Sequence, residues 1–72
     1  MDLDTLINRL LPVVLADRDL GNGRQFTRLH LDHLWALSCL HSGECFDREI
    51  VAQRIPAHLP PRVQIAANLQ QH

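Results

Sequence analysis

The chain has no lysine and no tyrosine, and its only aromatic residues are Phe26, Trp35 and Phe46. With so few rings, any interior has to be built from aliphatic side chains. No apolar run approaches the ~20 residues that a membrane-crossing helix requires. No basic segment leads into an apolar stretch at the start, so the sequence lacks a signal-peptide pattern and a cytoplasmic location is expected. Cysteine is scarce as well: Cys39 and Cys45, without an export signal, read as reduced thiols rather than a disulfide framework. Charge of one sign is also missing, since seven arginines face eight acidic residues for a formal net charge of −1. A field this weak steers little toward nucleic acid or an anionic membrane. Near-neutral surfaces associate readily, which points to a protein partner or a homodimer and to no membrane.

What is present suits a core. Nearly half of the 72 residues, 46%, are hydrophobic. That length allows one domain, spanning residues 1–72. Such a domain buries only ~60% of the surface its unfolded chain exposes. Its core then supplies about 3–5 kcal/mol unless a metal, a disulfide or a partner adds to it.

The spacing of apolar residues predicts helices throughout. A first helix is expected from Asp2 to Ala16, with Leu3, Leu6, Ile7, Leu10 and Val14 on one face. Pro12 lies inside it and removes a donor, so a kink or a split is expected there. The stretch Asp17 to Gly23, with Gly21-Asn22-Gly23, reads as a loop. A second helix is expected from Thr27 to His41. Thr27 is its N-cap, Phe26 and Leu31 its hydrophobic staple, and Gly43 its stop. Its apolar residues fall on two sides, with His30, His33, Leu34, Leu37, Leu40 and His41 on one and Leu31, Trp35 and Cys39 on the other. A helix apolar on two sides is expected to lie centrally, or to turn one side toward a second subunit.

A third helix is expected from Asp47, its N-cap, to Ile55, with Phe46 stapled to Val51. Pro56 ends it. A fourth is expected from Pro61 to Leu69 or Gln70, because proline suits a first helical position. The expectation is therefore an all-α fold: a small four-helix domain, residues 1–23 forming a helix and loop and residues 24–70 a three-helix core.

Three constellations bear on chemistry. His30, His33, Cys39, His41 and Cys45 have the residue types of a zinc site. On a continuous helix, however, His41 stands ~12 Å beyond His33, so the set cannot converge on one ion. A zinc-binding adaptor is thus the lesser alternative, and no metal or cofactor is assigned. Ser38, Ser42, Cys39 and Cys45 are the candidate nucleophiles, yet none has the base, orienting group and oxyanion pocket that catalysis requires. Asp47 and Glu49 are accounted for as helix-start residues. No catalytic residue is assigned, and the chain is read as a non-enzyme.

The third constellation is the segment Arg28 to Gln70. It resembles the three-helix core of helix-turn-helix and winged-helix DNA-binding domains. The resemblance rests on Asp47-Arg48-Glu49-Ile50-Val51-Ala52-Gln53-Arg54-Ile55, with Ala52 where close helix approach requires a small residue. It continues in Pro61-Arg62-Val63-Gln64-Ile65-Ala66-Ala67-Asn68-Leu69 as the recognition helix. It implies a dimeric transcriptional regulator that reads DNA through Gln64, Asn68 and Gln71, with Arg62 and Arg54 on phosphate or guanine. No wing follows. From Leu40 onward, Arg48, Arg54 and Arg62 are balanced by Glu44, Asp47 and Glu49, leaving little charge for phosphate contacts.

The sequence therefore favours a small regulatory protein that binds and modulates another protein, such as a transcription or host factor. Phage and plasmid accessory proteins and inhibitors have this profile. The expected contact residues are Leu3, Ile7 and Leu10 on the first helix and His30, His33, Leu37 and His41 on the second. DNA binding by the fourth helix is the alternative.

Overall fold

The computed structural model describes residues 2–16, 25–55, 59–66 and 69. The loop expected over Asp17–Gly23 lies outside them. Among the described residues there are three helices and one pair of short strands, in the order α1 (Leu3–Leu15), β1 (Gln25–Phe26), α2 (Arg28–Ser42), α3 (Arg48–Arg54) and β2 (Gln64–Ile65). The chain is predominantly helical, as expected, but with three helices rather than four among the described residues.

α1 runs unbroken through Pro12, so the expected split does not occur. Pro12 is exposed, and its carbonyl still accepts from the Ala16 amide at 2.9 Å. The helix buries Leu6, Ile7, Leu10, Leu11 and Val14 on one face, with Leu3 and Leu15 packed at its margin.

α2 begins and ends where its local chemistry dictates. Thr27 is the N-cap residue in extended conformation, and its amide donates to His30 Nδ1 at 3.2 Å. The Thr27 hydroxyl oxygen also lies 2.7 Å from that nitrogen. Acceptance at Nδ1 leaves the proton of a neutral ring on Nε2. At the other end Gly43 has φ 75°, the left-handed conformation that favours glycine, and its amide donates to the Cys39 carbonyl at 3.0 Å.

α2 divides its residues between its two sides differently from the expectation. Leu31, Leu34 and Ser38 form one fully buried stripe. Leu31 and Leu34 are thus on the same side, while Leu40 is exposed. Ser38 tolerates burial because its hydroxyl donates to the Leu34 carbonyl one turn back, at 2.8 Å.

α3 is capped by Asp47, whose carboxylate accepts from the Glu49 amide at 3.0 Å. Its buried residue is Val51, and Ile55 just beyond is also buried. Two ion pairs brace it. Arg48 reaches Asp32 on α2 and Arg54 reaches Asp4 on α1, each at 2.7 Å.

The expected fourth helix is the main correction. Pro61 and Arg62 form a turn, and Gln64–Ile65 is a strand paired in parallel with β1, Gln25 against Gln64 and Phe26 against Ile65. Val63 and Ala66 are buried, whereas Gln64 is exposed and Ile65 half-buried. Pro60 and Pro61 favour extended or turn backbone, and the branched side chains of Val63 and Ile65 suit a strand. Phe26 is fully buried and belongs to the same core cluster as Val63, Ala66 and the buried residues of all three helices.

Candidate functional site

The residues expected to form a contact surface are divided by the fold. Ile7 and Leu10 are buried in the core, and Leu3 is half-buried against it. Leu37 is half-buried on the core margin. His30 is half-buried, holds the Thr27 cap and stands 5.7 Å from the Phe26 ring, centroid to centroid. His33 and His41 are exposed.

The residues expected to read DNA are not brought together on a helix. Arg62 is exposed on a turn and Gln64 is exposed on β2. Arg54 is engaged with Asp4. Asn68 and Gln71 lie outside the described residues.

The candidate nucleophiles also have local explanations. Ser38 is buried on its own helix backbone. Ser42 sits at the end of α2, where its hydroxyl accepts from the Glu44 amide at 3.0 Å. No group of three or more metal-ligating side chains gathers among the described residues. No helix there is long and apolar enough to cross a membrane.

What the fold assembles instead is an outward stripe on α2. Leu29, His33, Ala36 and Leu40 are all exposed, and Leu29 and Leu40 each leave 76% of their surface open to water. Their spacing of four, three and four puts them within about 60° of one another on a helix. That arc lies opposite the buried stripe of Leu31, Leu34 and Ser38. At its N-terminal end Leu29, His30, Asp32 and His33 line an open depression of about 460 Å³. Leu29 and Ala36 were not among the expected contact residues. Their spacing was the available signal, obscured because Leu31 and Leu34 compete with Leu29 and Leu40 for the core in any count of leucines.

Comparison with protein-family models, with curated proteins and with solved structures returned no match.

Proposed function

We propose that this chain is a small non-enzymatic regulatory protein that acts by binding another protein through the outer face of α2. The observation that carries the reading is the pair Leu29 and Leu40, each 76% exposed on one stripe while a separate stripe fills the core. Scattered surface leucines need no explanation, but an aligned apolar strip does. The four, three, four spacing is that of a coiled-coil seam. It suits a partner that lays the apolar ridge of an amphipathic helix along α2. His33 and Ala36, a larger and a smaller side chain at the centre, give the strip a shape that a partner side chain can match.

The test is a Leu29→Glu, Leu40→Glu double variant. Both positions are exposed, so circular dichroism and melting should match the wild type closely. Capture from a lysate of the source cell, followed by helix-peptide binding with the captured partner's own segment, should succeed with the wild type and fail with the variant. Equal capture by both proteins would refute the reading. A wild-type mass of twice the chain that falls to one chain in the variant would show that the face is occupied by a second copy instead.

A further inference from the structure

The left-handed turn at Gly43 folds the chain back over the end of α2. The Phe46 amide, just beyond the turn, donates to the Cys39 sulfur at 3.3 Å. The Cα of Cys45 precedes that nitrogen by ~2.4 Å of backbone. A trans peptide turns its N–H to the same side as the preceding Cα, so the Cys39 sulfur stands about 4–5 Å from the Cys45 Cα, close to what a disulfide with its S–S bond of ~2.05 Å requires. Both thiols are free, Cys39 half-buried and Cys45 exposed. We propose that Cys39 and Cys45 form a reversible dithiol–disulfide pair, a redox modification site that joins the last turn of α2 to its connection with α3.

The backbone around the two sulfurs is held independently of the sulfur contact. Gly43 is tied to the Cys39 carbonyl at 3.0 Å. The Phe46 carbonyl accepts from the Trp35 indole N–H at 2.5 Å. Much of the entropy of closing a short ring is thus already lost in the native fold. The co-reactant is a low-molecular-mass disulfide such as oxidised glutathione. The exposed Cys45 thiolate attacks one of its sulfurs, forming a mixed disulfide and releasing one small thiol. Cys39 then attacks the Cys45 sulfur, forming the internal bond and releasing the second. The protein gives up two electrons and two protons, and the small disulfide leaves as two thiols carrying both. Because Phe46 contacts both Cys39 and the sole tryptophan, oxidation alters the surroundings of Trp35. The proposal does not depend on the outer face of α2.

The experiment equilibrates the wild-type chain in glutathione redox buffers and quantifies the internal disulfide by mass spectrometry after acid quench. The expected product is a monomer lighter by two hydrogens, with altered Trp35 emission. Its effective thiol concentration in native buffer should be about tenfold or more above that in concentrated urea, the factor being the fold's contribution. Cys39→Ser should accumulate the mixed disulfide at Cys45. A native value equal to or below the urea value would overturn the proposal. So would oxidation that yields only disulfide-linked dimers.

Discussion

The amide of Ala66 donates to the carbonyl of Phe26 at 3.1 Å, extending the parallel pairing of β1 with β2 by one bond. That bond joins a residue ahead of α2 to one beyond α3, and it anchors the only ring that is fully buried among the described residues. Removing that ring should be decisive. Phe→Ala in a core costs about 3–5 kcal/mol, comparable to the ~3–5 kcal/mol that a core of this size supplies. Phe26→Ala should therefore be largely unfolded at 25 °C, while Phe26→Leu keeps the fold. Urea titration followed by Trp35 fluorescence distinguishes the two; a cooperative transition of wild-type midpoint in Phe26→Ala would contradict the placement of this residue.

Pro12 invites the opposite change. It stands exposed inside α1 and cannot donate toward Asn8. Alanine there restores a donor and a better helix former, so Pro12→Ala should stabilise the protein by about 1–3 kcal/mol. The gain should appear as a higher melting temperature and stronger helical circular dichroism. An unchanged or lower melting temperature would mean that the surrounding packing depends on proline's shape.

The Thr5 hydroxyl donates to the Asp2 carboxylate, and this hydrogen bond holds the Asp2 pKa below its ordinary value in the folded chain. The ionised carboxylate therefore favours the folded state above the usual aspartate range. That contribution is lost as pH falls through the lowered folded value. An NMR titration of the Asp2 carboxyl should give a midpoint below that of a model peptide, and Thr5→Ala should move it upward. An identical midpoint in the Thr5 variant would exclude the hydrogen bond as the cause.

The Arg48–Asp32 pair should contribute little despite its 2.7 Å contact, because both side chains are 44% exposed. A double-mutant cycle of Arg48→Ala and Asp32→Asn should give a coupling of about 0.2–1 kcal/mol. Added salt should reduce it further. A coupling several times larger and insensitive to salt would show that the pair is shielded from water in solution.

The parts of the fold legible in the sequence are those set by local chemistry. Thr27, Gly43 and Asp47 each mark a helix boundary through a short-range capping interaction, and each stands where its type predicts. The α1 core face follows from helical spacing alone. Gln64–Ile65 was hidden for the converse reason: a two-residue strand leaves no periodicity, and its partner is distant in the chain. Pro60-Pro61 followed by Val63 and Ile65 was the signal for extended backbone, and it lost to the proline-first pattern of a helix start. Ser38 masked the buried stripe of α2, because a serine satisfied by its own helix looks polar in sequence and behaves as core in the fold.

The strand pair also bears on the order of events in folding. The α1, α2 and α3 faces can condense through helical segments that form early and locally, whereas joining Gln25 to Gln64 requires the whole intervening chain to be in place. If that contact forms after the rate-limiting state, weakening it is felt on the way out rather than on the way in. Stopped-flow measurements on a β2 variant such as Ile65→Ala should show faster opening at an unchanged rate of closing. The two short strands then act as a latch, governing how long the folded protein stays shut rather than how soon it forms.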